Sequence, residues 1–193
     1  MKTIFSIVLF VIFLLGVYFN EYLIWIDDFS YSIVSLFISD TMTTIMKFIT
    51  FFADPIWCIL FSVLVIIFWK KIRKAFLINL ILVFMLNYIL KLIFSRTRPI
   101  DINIITETGY SFPSGHAMIS LAIYGFLAYL LWESDYKYKK IGVSLLVLLI
   151  VLIGISRIYL GVHYTSDVIA GFIVSLGYLL LFIDFIYPKI KDK

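Results

Sequence analysis

Apolar residues occur along this chain in six long runs, which short polar or charged segments separate. A run of about 20 apolar residues is long enough to cross the hydrocarbon core of a bilayer as a helix. The pattern therefore predicts an all-α protein, a polytopic membrane bundle of six transmembrane helices. The predicted spans are residues 3–19, 55–69, 75–95, 114–132, 141–156 and 165–187.

The segment before the second span, residues 21–52, is also apolar, and its apolar residues recur at nearly helical spacing, but charged residues interrupt it. The interrupting residues are Asp27, Asp28, Asp40 and Lys47. We predict that part of this segment is an amphipathic helix lying at the membrane interface. Asp54 and Pro55 then match the N-cap and the first helical position of the second span.

The first run follows Lys2 and resembles a secretory signal peptide in length and composition. The residues at its end, 16–20, offer no cleavage site of the A-x-A type. We therefore predict that this run is a retained anchor span. Residues 1–193 are expected to form a single membrane-embedded domain.

The composition narrows the class of protein. Apolar residues make up 63% of the chain and charged residues 15%, whereas a soluble domain has about 45–50% and about 25%. A soluble enzyme, a disordered chain and a nucleic-acid binder are therefore poor fits. The single cysteine, Cys58, excludes an intramolecular disulfide and a metal site built from several cysteines.

The basic residues predict the orientation in the membrane. If both termini are cytoplasmic and six spans alternate, eleven of the 16 Lys and Arg residues lie inside and five outside. Cytoplasmic loops carry the excess of basic residues in membrane proteins. We therefore expect cytoplasmic termini, and we assign the net charge of +4 to contact with the cytoplasmic leaflet.

Lys91 lies within the third apolar run, where its charge requires an explanation. A cation at the centre of the bilayer costs about 2.5–3.5 kcal/mol even on the lenient insertion scale. Asn87, Lys91, Ser95 and Arg98 have the spacing of one helical face. This face either looks into the helix bundle or lets both cations reach the outer lipid headgroups.

A second cluster opens the fourth run, where Pro113, Ser114, Gly115 and His116 follow one another. Serine is a favoured N-cap, and glycine lets a ligand approach the backbone closely. The start of a helix also presents free N–H groups and a positive dipole end, which suit an anion. The cluster alone also fits a plain capped helix, but His116 is one of only two histidines in the chain.

The other histidine, His163, stands four residues before Asp167. Residues four apart share a helix face, so the carboxylate can accept from one imidazole nitrogen and leave the other with a free lone pair. Such a pair suits a nucleophilic histidine, and it also occurs as a helix-capping hydrogen bond. Arg157 offers a planar donor fork that suits phosphate. All these clusters are expected on the extracytoplasmic side.

These residues resemble the signature of the type 2 phosphatidic acid phosphatase family, the membrane relatives of the vanadium haloperoxidases. That signature reads K-x6-R-P, P-S-G-H and S-R-x5-H-x3-D. The matching positions are Lys91, Arg98 and Pro99, then Pro113 to His116, then Ser156, Arg157, His163 and Asp167. Around the second and third motifs the chain is most similar to the bacterial phosphatidylglycerophosphatase B-like group.

The resemblance implies a bundle with an acid phosphatase/vanadium haloperoxidase-like core, together with a mechanism. His163 is the implied nucleophile, Asp167 orients it, and His116 serves as general acid and base. The implied phosphate-binding residues are Lys91, Arg98, Ser114, Gly115 and Arg157. No metal or other cofactor is expected, because three cations and a helix N-terminus supply the positive field.

We therefore expect a lipid phosphate phosphatase that acts in the bilayer on phosphatidate, phosphatidylglycerophosphate or undecaprenyl diphosphate. A phosphotransferase that uses the same site with a lipid hydroxyl as acceptor is the alternative. A non-catalytic binder or transporter of anionic lipid fits less well, because binding alone does not require both histidines and Asp167. For Glu107, two roles stay open: a salt bridge to a site arginine, or selection of the head group.

Overall fold

The structure, a computed structural model, describes residues 2–18, 24–100 and 102–191. Helices make up most of this part of the chain, and it contains no β-strand, which confirms the all-α prediction. A π-helical turn, Phe182–Ile186, joins the last two α-helices. The α-helices are α1 (Lys2–Tyr18), α2 (Ile24–Ser35), α3 (Asp40–Phe51), α4 (Pro55–Phe68), α5 (Arg73–Phe94), α6 (Gly115–Trp132), α7 (Lys139–Tyr159), α8 (Thr165–Leu181) and α9 (Tyr187–Lys191).

Helix α6 lies at the centre of the bundle, where it contacts α5, α7 and α8. Its buried side chains, such as Met118, Ile123 and Phe126, point to several sides, and a helix that is hydrophobic all round is a buried one. Around this centre, α1 packs on α8, α3 packs on α7, and α2 contacts both α7 and α8.

Helices α6 and α8 approach each other closely at their first turns. A Cβ atom at Gly171 would lie 2.9 Å from the carbonyl oxygen of Ser114, so a larger residue would push the helices apart. The backbone N–H of Ser114 donates to the carbonyl oxygen of Asp167 (3.0 Å). These contacts bring the starts of both helices together, and both starts carry motif residues.

The structure does not confirm the predicted number of membrane spans. In the described ranges, four helices have the length and hydropathy to cross a bilayer: α5, α6, α7 and the continuous helix Thr165–Ile190. Helices α3 and α4 qualify only as a pair, which bends by 46°. Helix α1, predicted as an anchor span, is apolar over Ile4–Phe13 but shorter than these. Six spans are therefore not confirmed: four helices of the described ranges are long and apolar enough to cross, or five if the bent pair forms one span.

Residues 21–52, part of which is predicted to be an interfacial helix, contain two helices, α2 and α3, while residues 21–23 lie outside the described part. Ser39 caps α3 by accepting a hydrogen bond from the N–H of Met42 (3.3 Å). As predicted, Asp54 caps α4 and accepts from the N–H of Ile56 (2.9 Å), with Pro55 at the first helical position. This cap breaks the chain between α3 and α4, which explains the bend.

Candidate active site

The predicted site residues lie at one end of the bundle, in two chain segments that contact each other. The first segment runs from the end of α5 through the α5–α6 loop to the first turn of α6. The second runs from the end of α7 through residues 160–164 to the first turn of α8. The N–H of Ile104 donates to the carbonyl oxygen of Leu160 (2.9 Å), which fixes the loop of the first segment on the second.

His163 is buried at this end of the bundle, with 3% of its surface exposed. Its Nδ1 lies 3.4 Å from Oδ2 of Asp167, and its Nε2 lies 3.2 Å from Nη1 of Arg98. The proton of the neutral ring is assigned to Nδ1, because an ionised carboxylate oxygen can only accept a hydrogen bond and Nδ1 must therefore donate it. Nε2 therefore carries the lone pair and faces the cations.

Burial and the positive charges of Arg157, Arg98 and Lys91 lower the pKa of His163 well below its usual range. Burial is the largest cause, because a charged imidazole loses its hydration in the protein interior. The neutral ring is the nucleophilic form of histidine. His163 is thus held in the protonation state that an attack on phosphorus requires.

Backbone carbonyl groups hold two of the three predicted phosphate-binding cations in place. The ammonium group of Lys91 donates to the carbonyl oxygens of Tyr110 and Ser111. The guanidinium group of Arg98 donates to the carbonyl oxygens of Gly109 and Val162, at 3.0 and 2.9 Å. These neutral acceptors orient the side chains without neutralising their charges.

Arg157, the third cation, is 1% exposed. Its Nη1 donates to the Thr50 hydroxyl on α3 (2.8 Å), and its Nη2 pairs with the Glu107 carboxylate. The same carboxylate lies 3.8 Å from Nη2 of Arg98. Glu107 therefore bridges two site arginines, which confirms the first of the two roles left open for it.

Two buried polar atoms of the predicted site have no hydrogen-bond partner: Nε of Arg157 and Oγ of Ser114. Such unsatisfied groups are rare in folded proteins and need an explanation. Both are donors that an oxyanion could accept from. Gly115 follows directly, and a Cβ there would lie 3.0 Å from Oδ1 of Asn87, so this backbone packs tightly against α5.

His116 occupies the first turn of α6. Its ring lies near enough to His163, Arg157, Arg98 and Lys91 for their charges to act on it. No hydrogen bond within the described chain involves the ring of His116. The structure thus brings all eight predicted residues to one end of the bundle.

Sequence reasoning did not select three residues that contact the site: Asp27 on α2, Thr50 on α3 and Arg96 in the α5–α6 loop. Arg96 pairs with Asp167 (2.7 Å) and with Asp27 (3.0 Å). The signal for Asp27 was its position, an acidic residue in an apolar helical segment. Arg96 lies inside the first motif, among the residues that the signature leaves unspecified.

A cavity of about 190 Å³ lies beside His163. It is bounded on one side by α2, through residues that include Asp27 and Tyr31, and on the other by the start of α8. Its remaining lining residues are Asp28, Ser32, Ile102, Ile158, Tyr164 and Thr165.

Residues 73–191 match the family model of the PAP2 superfamily. The chain belongs to the PAP2 superfamily. The resemblance drawn from the three motifs is thereby confirmed, and the matched region contains every predicted site residue. Asp27 and Thr50 lie outside it.

Two relatives are similar to this chain in sequence. The chain is 42% identical over 102 residues to phosphatidylglycerophosphatase B of Bacillus subtilis, which covers 51% of this chain and 49% of that protein. It is 29% identical over 143 residues to undecaprenyl-diphosphatase of Sulfolobus acidocaldarius, covering 70% and 66%. The matched regions thus span about half and just under two thirds of these relatives' lengths.

A solved structure shows the same fold over nearly the whole chain. It is the crystal structure of a transmembrane PAP2-type phosphatidylglycerolphosphate phosphatase from Bacillus subtilis. It superposes with a TM-score of 0.85 and 28% identity, covering 93% of this chain and 94% of that one. The chain is accordingly a multi-pass membrane protein with the fold of a PAP2 phosphatase.

Proposed function

We propose that this protein is a membrane lipid phosphatase that removes a terminal phosphate from a phosphomonoester or diphosphate lipid through a phosphohistidine. One observation carries the proposal. The neutral His163 ring turns Nδ1 to the Asp167 carboxylate and Nε2 to the Arg98 guanidinium. A lone pair that faces phosphate-binding cations is the arrangement needed to attack a bound phosphoryl group.

In the first step, the substrate phosphate binds among Lys91, Arg98 and Arg157 and takes over the N–H group of Arg98 that now faces Nε2. Ser114 Oγ and Arg157 Nε, which lack partners, donate to its oxygens. Nε2 of His163 then attacks phosphorus, a P–N bond forms, and the bond from phosphorus to the lipid oxygen breaks. His116 gives its proton to that leaving oxygen.

In the second step, water attacks the phosphohistidine. His116, now neutral, takes a proton from the water as its oxygen bonds to phosphorus, and the P–N bond breaks. Inorganic phosphate leaves, and both histidines return to their starting states. Asp167 accepts a hydrogen bond from Nδ1–H throughout and stabilises the positive charge that develops on the ring.

The bilayer supplies the substrate. The expected substrates are phosphatidate, phosphatidylglycerophosphate and undecaprenyl diphosphate, and the last two are in keeping with the names of the two relatives. We propose that the termini are cytoplasmic and that the site faces the extracytoplasmic side, because this orientation puts eleven of 16 basic residues inside.

The test is a phosphate-release assay on the full chain, purified in detergent, with each of the three lipids in the presence of a metal chelator. The parent protein is expected to release phosphate from at least one lipid. The His163→Ala variant is expected to lose about 10³-fold or more in rate, because it lacks the nucleophile. Lys47→Gln, which removes an exposed cation from α3, is the matched control and is expected to retain the parent rate.

Turnover by His163→Ala at the parent rate would contradict the nucleophile assignment. No release from any of the lipids, with binding retained, would favour the anionic-lipid binder instead. Adding a lipid alcohol and following a labelled phosphate separates hydrolysis from phosphotransfer, since only a phosphotransferase moves the label to the alcohol.

A further inference from the structure

Arg96 joins two carboxylates of different helices at the nucleophile. Its Nη1 donates to Oδ1 of Asp167 (2.7 Å), and its Nη2 donates to Oδ2 of Asp27 (3.0 Å). Asp167 is fully buried, Asp27 is 5% exposed, and the Arg96 side chain is 18% exposed. Charge pairs this enclosed are screened little by solvent, so their geometry and charge act strongly on neighbouring groups.

The two oxygens of Asp167 have separate partners. Oδ1 faces Arg96, whereas Oδ2 accepts from the backbone N–H of Tyr164 (3.0 Å) and lies 3.4 Å from Nδ1 of His163. Arg96 thereby fixes the rotation of the carboxylate that turns Oδ2 towards the histidine. The guanidinium carbon of Arg96 lies 4.1 Å from the centre of the Tyr164 ring. This cation–π contact holds the guanidinium group in place, in addition to the two carboxylates.

Asp27, the second partner of the Arg96 guanidinium group, is itself hydrogen-bonded to α8. Its Oδ1 accepts from the backbone N–H of Ser166 (2.7 Å), and its Oδ2 accepts from the Ser166 hydroxyl (2.8 Å). This N–H belongs to the first turn of α8, where backbone donors have no partner within the helix. A residue 139 positions away thus caps the helix that carries Asp167.

The charges of the three side chains do not cancel. Arg96 alone would neutralise much of the field that Asp167 exerts on His163. Asp27 offsets that positive charge, so a net negative charge remains behind the imidazole ring. A negative charge there stabilises the positive ring that forms when Nε2 attacks phosphorus.

We propose that Arg96, held by Asp27, is a positioning residue that orients Asp167 and sets the field it exerts on His163. The proposal rests on the proposed function, in which His163 is the nucleophile. It assigns a role to α2, which lies outside the matched family region. Neither Arg96 nor Asp27 touches the substrate phosphate in this scheme.

Kinetics of three variants test the proposal: Asp27→Asn, Arg96→Gln and Arg96→Lys. Each is expected to lower kcat about tenfold to hundredfold while KM for the lipid changes by less than about twofold, because the phosphate-binding cations are untouched. Arg96→Lys keeps the charge but cannot span both carboxylates, and it is expected to recover only part of the rate.

The pH profile separates positioning from mere support of the fold. The charged and titratable groups that face His163 are Lys91 of α5, Arg98 and Glu107 of the loop, His116 of α6, Arg157 of α7, Asp167 of α8, and Asp27 and Asp28 of α2. Asp27→Asn removes a negative charge, so the acidic limb of kcat/KM is expected to move down by about 0.5 pH unit. Arg96→Gln removes a positive charge, so the limb is expected to move up.

Two variants control for the loss of a charge away from the site: Asp40→Asn and Lys47→Gln, both at exposed residues of α3. Neither is expected to shift the limb, because solvent and salt screen them. Limbs that move in the same direction in Asp27→Asn and Arg96→Gln, with a falling unfolding temperature, would overturn the proposal in favour of a purely structural role.

A second measurement does not depend on turnover. The chain has two histidines, so ¹⁵N-labelled histidine gives two sets of imidazole signals, and His116→Gln identifies the His163 set. The parent is expected to show a proton on Nδ1 and none on Nε2, and Arg96→Gln is expected to show a mixture of both tautomers. An unchanged tautomer in Arg96→Gln, with an active parent, overturns the proposal alone, whereas an inactive parent overturns the proposed function on which it rests.

Discussion

The Glu107 carboxylate is ion-paired with the Arg157 guanidinium, although both belong to a site that is expected to bind phosphate. Glu107 lies in the α5–α6 loop and keeps 29% of its side chain exposed, whereas the Arg157 side chain keeps 1%. The carboxylate thus provides a counter-charge for a buried cation when no substrate is bound. An incoming phosphate dianion meets that carboxylate and has to share the arginine with it.

Glu107→Gln is expected to have two opposite effects. Inhibition by inorganic phosphate should become several-fold stronger, because the site loses a negative charge that repels the anion. Stability should fall by about 1–3 kcal/mol, because Arg157 is left buried without its ionic partner. Inhibition constants and thermal unfolding in detergent measure the two effects. Weaker phosphate inhibition with unchanged stability would instead show that Glu107 orients Arg157 for the substrate.

The pKa of His163 makes stability depend on pH in a defined direction. Burial and nearby cations lower this pKa well below 6.5, its ordinary value, so below about pH 6.5 the unfolded chain binds a proton that the folded chain does not. Stability contributed by the neutral ring is therefore full above that pH. It is lost as the pH falls, at up to about 1.4 kcal/mol per pH unit.

Comparing unfolding of the parent and His163→Gln between pH 7.5 and 5 isolates this contribution, because both proteins keep His116. The parent is expected to lose stability more steeply below about pH 6.5, since only it carries the titrating ring. Parallel stability profiles of the two proteins would mean that His163 has the same pKa in the folded and the unfolded chain, which would contradict the lowering of this pKa by burial and nearby cations.

The local part of the site was predictable from sequence, and the long-range part was not. The spacing of four residues predicted that His163 and Asp167 are close, and they are, although His163 precedes α8 and only Asp167 lies in its first turn. Thr50 and Asp27 meet their partners across 107 and 139 positions. Such contacts depend on how α2 and α3 pack on α7 and α8, which no local pattern specifies.

Span counting shows a related limit. Asp54 and Pro55 correctly predicted a helix start, but the sequence pattern did not show that α3 and α4 form a bent pair that together is long and apolar enough to cross a bilayer. The prediction of an interfacial helix in residues 21–52 used the charges of that segment and could not include the packing of α3. In the structure α3 lies against α7, and its residue Thr50 is buried at Arg157.

Gly161 controls how the α5–α6 loop docks beside the nucleophile. It has a positive φ of 68°, and a Cβ there would overlap the carbonyl oxygen of Ile102. Gly109, which lies in the α5–α6 loop itself, has a similar φ of 76° but open space around the position of a Cβ. The two glycines therefore separate backbone strain from steric overlap.

Gly109→Ala is expected to cost about 1 kcal/mol, the ordinary price of a left-handed alanine. Gly161→Ala should cost more and should also reduce turnover, because the displaced loop carries Arg98 and Glu107. Thermal unfolding and phosphate release measure both variants side by side. Equal losses in the two variants would show that the loop yields at Ile102 without disturbing the site.

The orientation of the chain can be read from two loops that α6 separates. This helix has 18 residues and is about 27 Å long at 1.5 Å per residue, which is close to the thickness of the hydrocarbon core. Thr106 precedes it and Lys137 follows it, and both are exposed. If α6 crosses the membrane, the two residues lie on opposite sides.

Because Cys58 is the chain's single cysteine, a Cys58→Ala background accepts one new cysteine at a time. Thr106→Cys is expected to react with a membrane-impermeant maleimide on intact cells, since its loop carries the proposed extracytoplasmic site. Lys137→Cys is expected to react only after permeabilisation, because its loop belongs to the basic cytoplasmic set. The reverse pattern would place the site on the cytoplasmic face, and labelling of both on intact cells would show that α6 does not span the membrane.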